Sequence, residues 1–323
     1  MVRYIIKRIL ILIPVFICIT IMLFGVTKLM PGDPVRAMLP STLKAEQYEA
    51  AYEAMHKKMG LDKSLPEQYI RWMANMFTGE FGWSTNYNKP VINAVSEPIR
   101  NTIIMNIGVI FFSLLIGIPV GVACAVKKGG LLDNFWQVFS LVMWAMPSFF
   151  LALCLIYLFA TKLGWLPFGG MPNTSLLSGV ELFLGYVKHL ILPTIVLVLI
   201  GIAGEIRTVR VAMLDAFNQD YIRTARAKGL REKVVIWSHA MRNAMIPISG
   251  MVIAYIFSLF SGSTITETIF AWNGIGRVLI SSVTSRDTQM VTTMNSFFAM
   301  LSLVCVLIQD IVYCLVDPRV KLS

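Results

Sequence analysis

Six apolar runs punctuate the chain, at roughly 9–29, 102–126, 136–160, 190–206, 245–262 and 292–313. Each approaches the roughly 20 residues that carry an α-helix across a hydrocarbon core of about 30 Å. The pattern predicts an all-α membrane protein with six transmembrane helices. The fourth and fifth runs are short, so their ends are expected to lean on neighbouring helices or to continue as polar helix beyond the membrane. Between the first two runs lie about 70 residues with eight basic and eight acidic side chains, the composition of a folded region rather than a linker. Within it, "TLKAEQYEAAYEAMHKKMG" reads as a helix stopped at Gly60. "SLPEQYIRWMANMFTG" opens on a Ser64-x-x-Glu67 capping box with Pro66 in the first turn and closes at Gly79.

Two apolar stretches carry punctuation of their own. The third contains "MWAMPSFF", where Pro147 removes a backbone donor and is expected to bend the helix. Such a bend is either an ordinary kink or a turn lining a pathway, with Ser148 and Phe149 beside it. The segment "SGSTITETIFAWNGIGRVLISSVTSRDTQ" is too polar to cross a bilayer alone and reads as a re-entrant or outer-surface hairpin.

Composition agrees with the pattern: of 323 residues, 56% are hydrophobic and 14% charged, which excludes an ordinary soluble domain. Charge then orients the helices. Arg3, Lys7 and Arg8 precede the first span, and Lys127 and Lys128 separate the second and third. Eight Lys and Arg lie between Arg207 and Arg242, and Arg319 and Lys321 end the chain. All fall on one side, which the positive-inside rule makes the cytoplasm, so both termini are expected inside. The first run is too long for a signal-peptide core, and no small-x-small cleavage site follows it. Cys18, Cys124, Cys154, Cys305 and Cys314 sit in or at the end of apolar runs without paired spacing and read as small buried hydrophobes. The net charge of +10 suits basic loops facing anionic lipid and does not call for nucleic acid.

Catalytic constellations are missing from the sequence. His56, His189 and His239 lie in separate regions, with no His-Glu-x-x-His, no Cys-x-x-Cys and no phosphate-cradling Gly-x-x-x-x-Gly-Lys loop. "NGIGRV" lacks the third glycine and the strand of a dinucleotide fingerprint. Glu205 and Asp310 fall near span ends, where each is expected to reach water, or Arg207 and Arg319 respectively. Glu267 reads either as an ion-pair partner of Arg277 or as a pathway-lining charge. Two peripheral carboxylates are a poor inventory for a proton- or sodium-driven carrier.

The most polar interruption is "YIRTARAKGLREKVVIWSHAMRN", residues 221–243. Asp220 is expected to cap a short helix, Arg226 and Lys228 suit its last turn, and Gly229 occupies its left-handed stop. A second helix is expected to restart near Arg231. Tyr221, Ala225 and Gly229 share one helical face, whose small residues would permit close approach by another protein.

"ARAKG", followed by nine residues and "HAMRNAMIP", resembles the EAA loop of binding-protein-dependent ABC importer permeases. Ala225 matches the second alanine of that motif and Gly229 its glycine. Arg223 and Thr224 stand in place of Glu-Ala, and His239 to Arg242 in place of its closing Ile-x-Leu-Pro, as in the peptide-transport branch. "RYIIKRILILIPVF…LMPGDP", "GLDKSLPEQYIRWMANMFTGEFGWS", "ETIFAWNGIGRVLISSVTSRD" and "DIVYCLVDPR" are similar to the B-type subunit of dipeptide, oligopeptide and nickel importers.

The resemblance implies a type I ABC importer permease fold: an N-terminal helix with an extracytoplasmic helical loop (1–101), then a five-helix permease domain (102–323) with a cytoplasmic coupling loop (207–243). It implies a multi-pass protein of a bacterial or archaeal cytoplasmic membrane. Its partners would be a related C-type permease, two cytoplasmic ATPase subunits that hold the ATP and Mg, and an extracytoplasmic solute-binding protein. This chain would hold no cofactor and catalyse no covalent step. Coupling would rest on Asp220, Tyr221, Arg223, Thr224, Ala225, Arg226, Lys228, Gly229, His239 and Arg242. The basic residues would meet either the ATPase or anionic lipid. Pro147, Ser148, Phe149 and Glu267 are candidates for the pathway. Short peptides, nickel chelates and oligosaccharides all remain open as cargo, as does an ATP-independent carrier or channel.

Overall fold

The computed structural model describes residues 2–29, 33, 35–36, 39 and 44–316. Arg319, Lys321 and the close of the "DIVYCLVDPR" motif lie outside the described residues. Among the described residues, five helices are long and apolar enough to cross a membrane: α1 (Val2–Leu29), α4 (Val91–Val126), α7 (Gly179–Phe217), α9 (Glu232–Ser258) and α12 (Thr288–Val316). A sixth span exists if α5 (Leu131–Ala145) and α6 (Ser148–Leu155, continuing as a π-helix over Ile156–Lys162) are counted together. Packing divides the chain into two units: 100–277 with 305–316, and 2–99 with 278–304.

In the first unit the bend expected at Pro147 breaks the third apolar stretch into two helices. α5 and α6 meet at 101°, a corner rather than a kink. The cause is local: the ring of Pro147 excludes Met146 from the helical region, and Met146 adopts φ −79°, ψ 123°. The fourth span is also longer than its apolar run. α7 has 39 residues, about 58 Å at 1.5 Å per residue, so the polar segment 207–217 continues the helix, one of the two outcomes expected of the short fourth run.

α7 packs against α5 and α9, and it approaches α4 closely at two glycines. A Cβ on Gly121 would lie 2.7 Å from Val209 Cβ and 3.0 Å from the Ile206 carbonyl oxygen, and one on Gly117 would run into the Glu205 carboxyl. Without a hydrophobic drive between helices in lipid, such small-residue contacts are what let backbones associate. Glu205 is 2% exposed and reaches neither water nor Arg207, contrary to expectation. It accepts a hydrogen bond from the Tyr255 hydroxyl of α9. Arg207 instead lies over the Trp144 ring, 5.4 Å from its centroid.

One buried ion pair fastens α5 to α7. Arg210 Nε and Nη2 donate to the two Asp133 oxygens at 2.7 and 2.8 Å, and the Gly129 N–H adds a third donor at 2.9 Å. Asp133 is buried and Arg210 largely so. The bidentate geometry satisfies both ions.

In the second unit, α2 (Ala45–Lys58) stops just before Gly60, which adopts φ 68°. α3 (Leu65–Thr78) carries the expected capping box, the Ser64 N–H donating to Glu67 Oε2 at 3.2 Å, and ends at the left-handed Gly79. A two-residue hairpin, β1 (Trp83–Ser84) with β2 (Lys89–Pro90), follows. Buried Asp287 ties this hairpin to α11 (Ile275–Thr284) and α12, accepting from the Ser84 hydroxyl and from the Asn86 N–H at 3.1 Å. The segment expected as a re-entrant or outer-surface hairpin, 261–289, contains two short helices, α10 (Thr264–Ile269) and α11.

Removing one member of the Asp133–Arg210 pair strands the other in a buried site. Asp133→Leu is expected to destabilise the detergent-solubilised protein by about 3 kcal/mol or more. The double variant Asp133→Leu/Arg210→Met should recover at least half of the loss in thermal-unfolding midpoint.

Candidate functional site

α7 ends at Phe217, and after Asn218 and Gln219 the chain turns into α8 (Asp220–Ala227). The N-cap is Gln219, not Asp220 as expected. Asp220 is the first helical residue, where its carboxylate faces the positive end of the helix dipole, and Arg223 Nη1 reaches it at 3.4 Å. At the other end the Leu230 N–H bonds the Ala225 carbonyl at 3.4 Å and the Gly229 N–H the Arg226 carbonyl at 2.9 Å, a Schellman pattern. Gly229 adopts φ 74° with open space where a Cβ would stand, so the requirement for glycine is conformational and not steric. α9 restarts at Glu232, its N-cap Arg231, and passes through a π-helical turn over Val235–Ala240.

The inward face of α8 differs from the expected docking face. Ile222 is 0% and Ala225 4% exposed, and both pack into the chain's own core with Val122 and Ala125 of α4, Val209 and Met213 of α7, and Val235, Ala240 and Ala244 of α9. The small Ala225 thus brings α8 close to its own helices instead of to a partner. What α8 presents outward is Asp220, Tyr221, Arg223, Thr224 and Arg226, followed by Lys228, Gly229 and Leu230. His239 is half-buried on the π-helical turn and Arg242 is exposed one turn later.

A second fastening crosses the turn. Arg226 Nη2 and Nε donate to Glu232 Oε1 and Oε2 at 2.6 and 3.2 Å, and the guanidinium lies 5.9 Å from the Phe217 ring centroid. α7, α8 and α9 are thereby joined through one side chain. Donation by Arg226 holds the Glu232 carboxyl below its ordinary pKa.

Two participants escaped the sequence reading. Ile222 stands three residues before Ala225, an inward spacing that was available. Trp237 is exposed beside Arg231 and Lys233, lining a shallow concavity with Val234 and Ser238.

The other candidate group is brought together only in part. Pro147 and Phe149 are exposed and Ser148 is half-buried at the start of α6. α6 packs against α10, the helix of Glu267, around Leu151, Ala152 and Phe270. Glu267 itself is fully buried and takes neither expected role. It accepts from the Thr102 hydroxyl at 2.8 Å and the Arg277 backbone N–H at 3.0 Å, while the Arg277 guanidinium donates to the Ala271 carbonyl at 2.8 Å. Gly274 and Gly276 leave the space that its carboxylate fills. Glu267 is therefore a polar knot joining α4 to the α10–α11 turn rather than a surface charge.

Long apolar helices joined by short polar elements are those of a multi-pass membrane protein. Its fold is shared: the chain superimposes on a subunit of the MetNI methionine ABC transporter, crystallised inward-facing, with a TM-score of 0.52 at 16% identity, covering 70% of this chain and 97% of that one. Residues 117–322 match the family of binding-protein-dependent transport system inner membrane components, and residues 1–105 match its N-terminal family. The chain belongs to this family. It is 37% identical to the oligopeptide transport system permease protein AppB of Bacillus subtilis, over 99% of this chain and all of that one. It is also 37% identical to the di/tripeptide transport system permease protein DppB of Pseudomonas aeruginosa, over 99% of both.

The depressed Glu232 carboxyl makes the turn sensitive to acid. A group whose folded pKa is lowered contributes stability above its unfolded value, near 4.3, and loses it as pH falls through the folded value. Amide exchange at 228–234, corrected for intrinsic rates, is expected to stay flat from about pH 7 to 5 and to quicken below about pH 4. Glu232→Gln should show the quickened exchange at pH 7 with no acid step. The half-exposed pair contributes no more than about 1 kcal/mol.

Proposed function

We propose that this chain is the permease subunit of an ATP-driven importer that carries short peptides across the cytoplasmic membrane. α5 and α6 together make one of six spans, both termini are cytoplasmic, and residues 30–101 and 263–291 face outward. A related C-type permease completes the pathway, a solute-binding protein delivers peptide to the outer segments, and two ATPase subunits bind ATP and Mg. The relatives named for oligopeptide and di/tripeptide transport support the choice of cargo.

The observation that carries the coupling role is the two-sidedness of α8. Its inner face is locked into the ends of α4, α7 and α9 by Ile222 and Ala225, while its outer face offers Tyr221, Arg223, Thr224 and Lys228 to a partner. An ATPase cleft that holds the outer face moves the inner face with it. The displacement passes to α5 through Asp133–Arg210, and from α5 to the corner at Pro147. Packed cores transmit such shifts because they have little room to absorb them. Arg226 is held by Glu232 within the chain at 2.6 Å, whereas Arg223 has only a longer, exposed contact with Asp220 at 3.4 Å, so Arg223 and Lys228 are the cations that α8 offers to the ATPase.

Gly229 sets the angle between α8 and α9, and a β-branched side chain at φ 74° costs about 1–2 kcal/mol. In proteoliposomes containing every subunit, Gly229→Val is expected to lower peptide uptake and peptide-stimulated ATP hydrolysis at least fivefold with normal assembly. Gly229→Asn, which tolerates the left-handed region, should keep most of both. Full uptake by Gly229→Val would end the rigid-lever reading.

A further inference from the structure

The second packing unit carries a half-open cavity of about 920 Å³ that coupling leaves without a task. Its size falls within the range of small-molecule sites, roughly 300–1,000 Å³. One wall is aromatic, formed by Phe24 and Trp72 with ring centroids 5.8 Å apart. The charges that line it are not all spent. Lys28 donates to Gln68, and Asp33 accepts from the Tyr52 hydroxyl at 2.6 Å and the Val35 N–H at 2.9 Å. Arg71 and Glu80, in contrast, have no side-chain hydrogen bond or ion pair among the described residues.

The Arg71 guanidinium has a place prepared for it. A Cβ on Gly60 would stand 2.7 Å from Nη1, so glycine there is what lets the group lie across the turn after α2. Glu80 follows the left-handed Gly79, its backbone N–H fixed on the Asn75 carbonyl at 2.9 Å. Arg71 and Glu80 are nine residues apart along and just past α3, on the order of 13 Å of axial rise between their α-carbons. An extended tripeptide spans about 10 Å between its termini, and the two side chains supply the remaining reach.

We propose that this cavity binds a zwitterionic peptide of two or three residues, its carboxylate on Arg71, its ammonium on Glu80 and its side chains against Phe24 and Trp72. On the topology proposed above, the cavity faces the side from which peptide arrives. Naming a peptide among zwitterions rests on that functional reading.

Equilibrium dialysis of radiolabelled trialanine against the purified permease–ATPase complex, without binding protein, tests the site. Saturable binding is expected, weakened about tenfold or more by Arg71→Met through loss of a charge-assisted contact. Trialanine amide, which lacks the carboxylate, should fail to compete. N-acetyl-trialanine should compete poorly in the wild type, and as well as trialanine itself in Glu80→Gln. Unchanged binding in both variants, or an amide that competes like trialanine, overturns the site. Uptake of trialanine by the complete transporter separates the two readings. Uptake with variant-insensitive dialysis removes the site and leaves the peptide importer. Arg71-dependent binding without uptake of any peptide keeps the site and removes the importer of peptides.

Discussion

The close approach of α4 and α7 at Gly117 and Gly121 is the contact on which the first unit depends. In hydrocarbon, burying leucine against leucine gains little, so helices must associate by fitting surfaces and by polar groups that find each other. Gly121 admits Val209, and Gly117 admits the carboxyl of Glu205, which Tyr255 then ties to α9. Below these contacts α7 continues as a polar helix far past its apolar run. The same helix carries Arg210 to Asp133 and the apolar residues on which Ile222 and Ala225 rest. A larger side chain at either glycine would separate the two backbones and disturb every element that α7 positions.

Local features were legible in the sequence, and features made by distant residues were not. The capping box at Ser64 and Glu67, the stops at Gly60 and Gly79 and the left-handed Gly229 each depend on a few neighbours and appear where expected. The shortness of the fourth apolar run pointed to a polar continuation of α7, but not to its length, because helix beyond a membrane has no apolar run to measure it by. Pro147 announced a bend, but its 101° depends on the conformation forced on Met146. The partners of Glu205 and Asp133 lie 50 and 77 residues away, and no periodicity links them. Ala225 misled for a different reason. A small residue on a helix face serves close packing equally well inside the chain or against a partner, and only the burial of Ile222 beside it decides for the inside.

The buried polar groups share one logic. Asp133, Glu205 and Glu267 each sit where helices or turns from different parts of the chain converge, and each is held by donors from another element. Replacing water by such donors is what makes a buried carboxylate tolerable. These knots leave the apolar surfaces of the helices free for lipid or other subunits, and they concentrate the chain's rigidity at a few joints. Motion imposed on α8 therefore has a short, well-packed route into the spans.

The corner at Pro147 has a further consequence for what surrounds the protein. Proline cannot donate to the carbonyl of Met143, four residues earlier, and the extended Met146 interrupts the ladder beside it. Lipid tails offer no hydrogen bond to backbone freed in this way. On the six-span topology proposed above, irregular main chain at this depth is tolerated only against protein or water, so the bend would mark a stretch of the chain's perimeter from which the bilayer is kept away.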